Sequence, residues 1–387
     1  MRIALVAPLV SPIAPPYLGG AQVILADLAR GLAQRGHAVT LYAAEGSVVP
    51  GVRIITLGID SSQLRPARFY RGGQALAANP ADEDHIPDML RPDERKLLPS
   101  YAFLHVFRAL VQQVDEYDLV HAHAFDWPAY AYSGMLPLPV IHTLHLPPVD
   151  DNIAKLLGVL APPNGAPTRV WLTTVSQACA AAWSPFCAIS AVIYNGVDLA
   201  SIPFSERPAE RPSLLFAGRI SPEKGVDDAL EIAVRAGLPL TLAGDAYDTS
   251  YYEDQFAPRL KRLSARAHYL GSVAREDLHR LMGAAQALLC TPHWDEPFGL
   301  VACEALAAGT PVVGYRRGGL AEVVAEGETG YLVAPGDVDA AVAAVQRVAA
   351  IDRRACRARV EQRFRLETML DAYEAFYAKT LALAAAS

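Results

Sequence analysis

The sequence has little of what marks small secreted, zinc-stabilised or membrane-spanning proteins. Its five cysteines are odd in number and form no Cys-x-x-Cys pair, so neither a disulfide framework nor a structural zinc site is indicated. We expect them to be small core residues. No apolar run is long enough to cross a bilayer, and the N-terminal apolar stretch lacks a cleavage-like site, which predicts a cytoplasmic protein.

Positive charge is also scarce. The chain carries 34 Lys and Arg against 41 Asp and Glu, a net charge of -7, whereas a protein whose main partner is nucleic acid needs a basic face. We therefore set nucleic acid aside. The chain is long instead: its 387 residues, 52% of them hydrophobic, suffice for two domains with separate cores. Two domains imply a cleft.

Short apolar runs alternate with helical patterns along both halves of the chain. The first half opens with a strand at 3–9, a helix at 21–34 and a strand at 38–43, which is a βαβ unit. Continuous apolar runs of this kind are typical of parallel strands buried on both faces. Further strands are predicted at 53–57, 119–124, 140–146, 170–176, 191–194, 213–217, 238–243, 268–271, 287–291, 311–315 and 330–333.

This alternation predicts an α/β fold with two doubly wound, Rossmann-like sheets, each binding ligand at the carboxyl ends of its strands. A Pro-rich stretch separates the two series, and we place an N-terminal domain at 1–203 and a C-terminal domain at 204–365. Helices are predicted at 338–349 and 366–386. The last segment, 366–387, carries Tyr373, Phe376 and Tyr377 on one helical face that must be covered.

Residues 60–99 interrupt the pattern. Pro, Arg and acidic residues dominate, and a basic, aromatic cluster lies in the middle, formed by Arg65, Arg68, Phe69, Tyr70 and Arg71. Long connections in compact domains are usually functional or disordered. We interpret this one as a solvated loop, and the alternative is contact with a membrane surface or an acceptor.

The stretch PHWDEPFGLVACEAL at 292–306 places two carboxylates, Glu296 and Glu304, around a loop that turns into a helix. The first N–H groups of a helix lack internal partners and carry partial positive charge, so the turn suits an oxyanion or a sugar hydroxyl. One carboxylate can then bind a deeply held diol while the other reaches a different ring of the same ligand. The alternative is a pair of glutamates satisfied by solvent and neighbours.

A second turn, FAGRISPEKG at 216–225, carries two cations. Arg219 and Lys224 leave a strand end through a Pro-containing turn that opens a helix at Gly225. Two cations and free N–H groups suit a diphosphate, and a diphosphate that departs in a reaction gains most from such fixed charges. The alternative is an Arg and a Lys on a solvated loop.

Four histidines follow neighbouring strand ends in the first half. His121 and His123 lie in LVHAHAFDWP together with Asp126, and His142 and His145 lie in VIHTLHLP. Imidazole and carboxylate groups are good zinc ligands, but nothing else resembles a metal-activated hydrolase site. We favour histidines that line a polar cleft.

Gly19 and Gly20 open the first helix, and such glycines let a phosphate approach the backbone. A dinucleotide-binding interpretation also has an acid, Glu45, where a ribose would bind. It fails because the connection after the first strand is long and Pro-rich and contains no GxGxxG turn.

These motifs together resemble the retaining glycosyltransferases of family four. The resemblance spans nearly the full length and is most specific in GRISPEKG and in the two glutamates with seven residues between them. It implies the GT-B fold, in which two Rossmann-like domains face each other across a cleft. The motifs occur in the order Gly19-Gly20-Ala21, HAH at 121–123, NGVD at 195–198, GRISPEKG, Gly244-Asp245, Gly271-Ser272-Val273, and Glu296-Pro-Phe-Gly-Leu with Glu304.

The resemblance implies a role for residues that would bind the nucleotide. Arg219 and Lys224 would hold the donor diphosphate, Glu304 the ribose hydroxyls and the Val273 backbone the base. Gly20 would donate its N–H to a phosphate. The donor would be a UDP- or GDP-sugar.

It implies further roles around the transferred sugar. Glu296, with the backbone of Phe298, Gly299 and Leu300, would grip the sugar hydroxyls, and His123 would face the reacting carbon. Such enzymes work without a bound metal or other cofactor. The final helix in this fold commonly crosses back to the first domain.

The acceptor side departs from the family pattern. Ala124 and Phe125 separate His123 from Asp126, so an acceptor role is assigned to Asp126, Trp127 and His145 only as a hypothesis. A lipid-linked saccharide, a polysaccharide end and a small natural product are all open as acceptors, and so is peripheral membrane contact.

The implied reaction is sugar transfer with retention by front-face attack. Alternatives of the same fold are a sugar-nucleotide epimerase and a phosphorylase that carries pyridoxal phosphate. A non-catalytic nucleotide-sugar sensor is the third reading of the same residues.

Overall fold

The computed structural model describes residues 1–64, 70–71, 74–75, 92–166, 168–246, 248–263 and 266–386. Within these residues the chain forms two compact units. The first is Met1–Tyr194 together with Met369–Ser387, and the second is Asn195–Thr368. Each unit contains one large parallel sheet with helices between its strands, so the predicted α/β class is confirmed.

The first unit holds a seven-stranded parallel sheet. Its strands are β1 (Arg2–Val6), β2 (Ala38–Tyr42), β3 (Arg53–Ile55), β6 (Leu119–Ala122), β7 (Val140–Leu144), β8 (Val170–Thr174) and β9 (Ala191–Val192). They run in the order β3-β2-β1-β6-β7-β8-β9. Ala4 on β1 pairs with Thr40 on one side and Val120 on the other. The two remaining strands form a short antiparallel pair, β4 (Tyr70–Arg71) and β5 (Gln74–Ala75).

Five helices of the first unit connect these strands within the described residues. They are α1 (Gly20–Gln34), α2 (Pro92–Gln112), α3 (Trp127–Ser133), α4 (Asp151–Leu160) and α5 (Gln177–Trp183). Polar caps define two of the starts: the Asp150 carboxylate accepts from two backbone N–H groups of α4, and the Ser176 hydroxyl accepts from the Cys179 N–H.

Helix α2 corrects the interpretation of residues 60–99 as one loop. The helix begins at Pro92 and ends at Gln112. Its apolar residues, such as Phe103 and Leu110, are buried in the core of the first unit. The cluster Arg65, Arg68 and Phe69 lies outside the described residues.

The final helix, α14 (Leu366–Ala386), belongs to the first unit from Met369 onward. Tyr373 and Tyr377 are fully buried, so the aromatic face of this helix is covered, as predicted. Gly31 on α1 makes room for it, since a Cβ there would overlap the Leu370 side chain. Arg35 binds Asp371 at 2.7 Å beside this contact.

The second unit holds a six-stranded parallel sheet. Its strands are β10 (Leu214–Ala217), β11 (Leu240–Ala243), β12 (Ala267–Tyr269), β13 (Ala287–Cys290), β14 (Val312–Tyr315) and β15 (Gly330–Val333), in the order β12-β11-β10-β13-β14-β15. Its helices are α6 (Val226–Ala236), α7 (Thr249–Tyr251), α8 (Ala257–Arg262), α9 (Arg275–Ala284), α10 (Leu300–Ala307), α11 (Leu320–Val323), α12 (Val338–Arg347) and α13 (Arg353–Arg363).

Every strand predicted from the sequence has a counterpart in one of the two large sheets, with ends that differ by a few residues. Four of the five cysteines are buried as predicted, and Cys290 at the end of β13 is partly exposed. Across the described ranges, no helix has both the length and the apolar content to cross a membrane. The cytoplasmic location stays a prediction.

Candidate functional site

The cationic turn of the second unit follows strand β10. The chain leaves β10 at Ala217, forms a 3₁₀ turn over Pro222–Lys224 and enters α6 through Gly225 in the left-handed conformation, φ 68°. A Cβ at Gly225 would overlap the carbonyl oxygen of Thr291, which lies just beyond β13. The turn and the loop after β13 are therefore packed backbone against backbone, as only glycine permits.

Two hydrogen bonds fix this contact. The His293 N–H donates to the Glu223 carbonyl at 2.8 Å, and the Thr291 hydroxyl donates to the Gly225 carbonyl at 2.8 Å. The loop that carries Glu296 is thus held against the turn that carries Lys224. This contact explains why two motifs far apart in sequence meet at one place.

Lys224 and Glu296 form a direct ion pair. Lys224 Nζ lies 2.7 Å from Glu296 Oε2, and the two side chains are 21% and 17% exposed. The Trp294 indole N–H donates to the same carboxylate oxygen at 3.0 Å, and the Lys224 ammonium lies 5.0 Å from the Trp294 ring centroid. The pair is only partly solvated, so removal of either charge would leave the other poorly compensated.

Arg219 lies in the same turn. Its Nη2 is 3.5 Å from Glu223 Oε1, and the two side chains are about one-fifth and one-third exposed. Both predicted phosphate-binding cations therefore project from one turn between β10 and α6. Each has a carboxylate beside it in this structure.

The loop after β13 leads into α10 without a side-chain cap from any described residue, and Gly299 occupies the N-cap at φ 93°. Its path is fixed by a second glycine contact. The Gly319 N–H donates to the Glu296 carbonyl at 2.7 Å, and a Cβ at Gly318 would overlap the Glu296 backbone. Phe298 is buried and Leu300 is partly buried. The helix N-terminus is thus held rigidly next to the ion pair, where it suits an anion or a hydroxyl.

Glu304 lies within α10 and is 5% exposed. Its Oε1 is 3.0 Å from Arg275 Nη2 and 3.6 Å from His279 Nε2. Burial by itself raises the pKa of Glu304, but the His279 ring and the Arg275 guanidinium outweigh burial, so the pKa lies below its ordinary value. Glu304 is therefore ionised at neutral pH.

Sequence reasoning missed Arg275. Arg275 is the first residue of α9 and shares one helical face with His279 four residues later, but this spacing does not indicate their common partner on α10. Val273, the residue predicted to meet the base through its backbone, is two positions before Arg275 and is partly buried. The segment that holds Val273 begins at Gly271, whose carbonyl accepts from the Gly244 N–H at 2.8 Å.

A second network was also missed. His293 Nε2 lies 2.9 Å from Asp228 Oδ2, and the Tyr315 hydroxyl donates to the same oxygen at 2.5 Å. These contacts tie the loop after β13 to the first turn of α6 and to the end of β14. They support the geometry of the Lys224–Glu296 pair.

In the first unit, Gly20 begins α1 after Gly19, and none of the described side chains caps this helix. The predicted donation of the Gly20 N–H to a phosphate stays a prediction. Nearby, the Gln22 side chain accepts from the Leu18 N–H at 2.7 Å, which orders the approach to the helix.

The four histidines at the ends of β6 and β7, namely His121, His123, His142 and His145, are buried. His121 Nδ1 lies 2.7 Å from the Tyr377 hydroxyl and its Nε2 lies 2.7 Å from the Thr143 hydroxyl. The ring centroids of His142 and Tyr130 lie 4.8 Å apart. The rings of His121, His123 and His142 are fully buried and that of His145 is 8% exposed, so the expectation of histidines lining a polar cleft is wrong for the first three.

His123 and His145 form a pair, with Nδ1 of His123 2.8 Å from Nε2 of His145. Burial lowers the pKa of His145 to about 4 and that of His142 to about 3. Burial, followed by the neighbouring histidines, also holds the pKa values of His121 and His123 well below the ordinary range. All four rings are therefore neutral at pH 7.

Asp126 and Trp127 start α3. Asp126 occupies the N-cap, but its side chain makes no cap hydrogen bond, and burial raises its pKa to about 6. Trp127 is 49% exposed. Their acceptor role, like that of His145, stays a hypothesis. In the part of the chain that the structure describes, no group of three or more His, Cys, Asp or Glu side chains is arranged to hold a metal ion.

Comparison with known families agrees with this geometry. Residues 200–363 match the family model described as Glycosyl transferases group 1, and residues 18–201 match the model described as Glycosyltransferase Family 4. The two matches divide the chain close to the division between the two compact units.

Two relatives with known names are similar to the chain. The glycogen synthase of Mycobacterium tuberculosis is 37% identical over 62% of this chain and 63% of its own length. The chain thus spans under two thirds of that relative. D-inositol 3-phosphate glycosyltransferase 2 of Catenulispora acidiphila is 29% identical over 88% of this chain and 86% of its own length.

Solved structures share the fold. Sucrose-phosphate synthase from Thermosynechococcus elongatus has a TM-score of 0.76 at 21% identity and covers 99% of this chain and 100% of its own. Anabaena HepE, solved with UDP and glucose, has a TM-score of 0.70 at 21% identity and covers 98% of this chain and 99% of its own. The chain belongs to the family-four glycosyltransferases and has the GT-B fold.

Proposed function

We propose that the chain transfers a sugar from a nucleotide-diphosphate sugar to an acceptor hydroxyl, with retention at the anomeric carbon and without a metal ion. The observation that carries this proposal is the Lys224–Glu296 ion pair, 2.7 Å long, beside the uncapped start of α10 and in the same turn as Arg219. A diphosphate and a hydroxylated ring are the ligands that this combination of groups fits best.

Donor binding exchanges the partners of the ion pair. The Lys224 ammonium turns to the diphosphate, and the Glu296 carboxylate turns to the hydroxyls of the sugar. The Trp294 indole N–H, 3.0 Å from Glu296 Oε2, remains with the carboxylate during this exchange. Because neither charge is left without a partner, the exchange costs little free energy.

The chemical step then breaks the bond between the anomeric carbon and the β-phosphate oxygen. The acceptor oxygen forms its bond on the same face of the sugar, and its proton passes to the departing phosphate. Negative charge grows on that phosphate as the bond lengthens, so Arg219 and Lys224 stabilise the transition state more than the bound donor.

We further propose a UDP- or GDP-sugar as donor. HepE, a structural neighbour, is solved with UDP-glucose, and glycogen synthase and D-inositol 3-phosphate glycosyltransferase are names of relatives. The acceptor belongs to the class of hydroxyl-bearing saccharides or small natural products. It binds the first unit, where the exposed Trp127 offers a ring for stacking and the buried His123–His145 pair beside it carries no net charge.

The test begins with a thermal-shift screen of UDP- and GDP-sugars, because a ligand that binds only the folded state raises the melting temperature. The best donor is then incubated with panels of acceptors, and product anomers are assigned by NMR. Retention and activity in excess EDTA are expected. Inversion, or loss of activity in EDTA that added metal restores, would contradict the proposed mechanism.

Two control incubations separate the alternatives of the same fold. Donor conversion with no acceptor present would indicate an epimerase. Tight donor binding with no turnover on any acceptor would indicate a sensor. A lysine-bound pyridoxal phosphate, visible by its absorbance, would indicate a phosphorylase.

A further inference from the structure

The contact between Arg275 and Glu304 has no role in the proposed chemical step. Arg275 Nη2 lies 3.0 Å and its Nε 3.3 Å from Glu304 Oε1. The arginine side chain is 24% exposed and the glutamate side chain 7%. A charge-assisted contact to a carboxylate this deeply buried is one of the strong contacts of a protein interior.

The position of Arg275 in its helix is unfavourable by itself. It is the first residue of α9, where the helix dipole places positive charge and favours acidic side chains. Glu276 and Asp277 follow that rule in the same turn, whereas Arg275 does not. A cation at this point is therefore explained by its partner on α10 and not by the helix.

Both basic groups near Glu304 approach one oxygen. Arg275 contacts Oε1, and His279 Nε2 lies 3.6 Å from the same Oε1. The His279 ring is itself placed by its Nδ1–H, which donates to the Ser201 carbonyl at 3.2 Å. These contacts engage Oε1, and no described residue forms a hydrogen bond with Oε2.

We propose that Arg275 is the positioning residue that sets Glu304 for the ribose of the donor and thereby makes the site select ribonucleotides. Arg275 holds Oε1, and Oε2 accepts from the 2′- and 3′-hydroxyls. This inference rests on the proposed function, since it needs a nucleoside diphosphate in the second unit. It assigns the selection to a residue outside the motif that carries Glu304.

The selection follows from burial. A nucleotide without ribose hydroxyls leaves a buried, ionised oxygen with no donor, and a site built to bind a hydroxyl rejects an analogue that lacks it for this reason. Without Arg275, Glu304 is free to rotate or to take up a proton. The absence of the ribose hydroxyls from a nucleotide then lowers its affinity by a smaller factor.

A purely structural salt bridge between α9 and α10 would give a different result. Loss of such a bridge would lower the stability of the protein, but it would reduce the affinities for ribo- and deoxyribonucleotides by the same factor. The ratio of the two affinities is therefore the quantity that separates a positioning role from a structural one.

The experiment measures the affinities of UDP and 2′,3′-dideoxy-UDP by calorimetry, or of the GDP pair if GDP binds more tightly. The proteins are wild type, Arg275→Gln, Arg275→Lys and Arg280→Gln. Arg280 is the matched control, since it lies on the same helix, is 68% exposed and pairs with Asp277 on the surface. Melting temperatures are recorded for each.

We expect wild type and Arg280→Gln to prefer the ribonucleotide by roughly 10- to 100-fold. Arg275→Gln should lose most of that preference, mainly by weaker binding of the ribonucleotide. Arg275→Lys keeps the charge but not the planar fork, and its preference should fall between the two. If Arg275→Gln fails to fold, Arg275→Lys alone decides the test. A ribonucleotide preference at least about 3-fold below that of wild type then supports the inference.

An unchanged preference in both Arg275 variants would overturn the inference, whatever happens to their melting temperatures. A wild-type protein that binds no nucleoside diphosphate would instead overturn the proposed function, and the inference with it. The two failures are distinguishable because the wild-type titration alone separates them.

Discussion

The carboxyl ends of the strands carry opposite chemistry in the two units. In the second unit, cations meet carboxylates: Lys224 with Glu296 at 2.7 Å and Arg275 with Glu304 at 3.0 Å. In the first unit, strands β6 and β7 end in neutral imidazoles, and the His123–His145 pair is buried. Fixed charges suit a phosphate, and neutral polar groups suit hydroxyls.

The difference also shows how each unit accommodates polar groups inside it. The second unit keeps its carboxylates ionised by pairing them, as the lowered pKa of Glu304 shows. The first unit suppresses charge by burial, which lowers the pKa values of its histidines and raises that of Asp126 to about 6. The two units should therefore respond differently to mutation and to acid.

The largest expected effect is on turnover in the second unit. Lys224→Ala should lower kcat with saturating donor by about 10²- to 10³-fold, because Lys224 opposes charge that grows in the transition state. Donor affinity should fall less. Lys261→Ala, an exposed cation on α8 of the same unit, is the control and should retain wild-type kcat.

Unchanged kcat in Lys224→Ala and in the corresponding Arg219→Ala would remove both cations from the chemical step. The charged site of the second unit would then be a binding site only, and the proposed transfer mechanism would be wrong.

The next largest effect is expected at low pH, where the first unit should lose more stability than the second. Histidines with folded pKa values below the unfolded value of about 6.5 bind protons mainly in the unfolded state, so stability falls as pH drops below 6.5. Between pH 7 and 5.5, His142 and His145, whose folded pKa values are about 3 and about 4, should each cost about 1 kcal/mol, and His121 and His123 act in the same direction. Asp126, whose folded pKa is raised to about 6, acts in the opposite direction and offsets part of the loss.

Glu304 should not contribute in this range. Its folded pKa is lowered, so its stabilisation is lost only as pH falls below the ordinary carboxylate range near 4 and through the folded pKa. Hydrogen exchange at pH 7 and 5.5, corrected for intrinsic rates, should show opening in β6 and β7 before β10 and β13. Equal opening in both sheets would contradict the comparison.

Two histidines within the first unit offer a smaller, sharper contrast. Neither ring nitrogen of His142 has a hydrogen-bond partner among the described residues, so His142→Leu should be nearly neutral or stabilising. His121→Leu breaks contacts to Tyr377 and Thr143 and should cost about 1–3 kcal/mol. Urea unfolding measures both, and equal losses would show that the hydrogen bonds of His121 contribute no net stability.

The smallest expected effect on catalysis is at Trp127. Trp127→Ala should change the free energy of unfolding by less than about 0.5 kcal/mol, because the side chain is 49% exposed. It should raise the KM for the acceptor and leave the KM for the donor unchanged. An unchanged acceptor KM would remove Trp127 from the acceptor side.

The sequence predicts the sheets well because buried parallel strands are continuous apolar runs, such as those of β1 and β7. It also predicts that Lys224 and Glu296 share a site, since both follow the carboxyl ends of strands in one sheet. It does not predict the partners of buried carboxylates. Arg275 reaches Glu304 across 29 positions, and spacing within a motif gives no sign of such a contact.

The histidines show a second limit. Alternation places His121 and His123 on one face of β6, but it does not show that Tyr377 of the final helix covers His121. Burial then turns His121 into a core residue, while His123 keeps a nitrogen without a hydrogen-bond partner among the described residues. Tertiary packing decides which of two such residues keeps a ring nitrogen without a partner, and alternation along the strand does not show it.

The most direct test of the charged site is hydrogen exchange of wild-type protein with and without the nucleoside diphosphate that binds best. Protection is expected to be strongest at 218–225, at 271–275 and at 292–304 in the second unit. Protection confined to the histidine segments of the first unit, with no change at 218–225, would contradict the assignment of Arg219, Lys224, Glu296 and Glu304 to the donor.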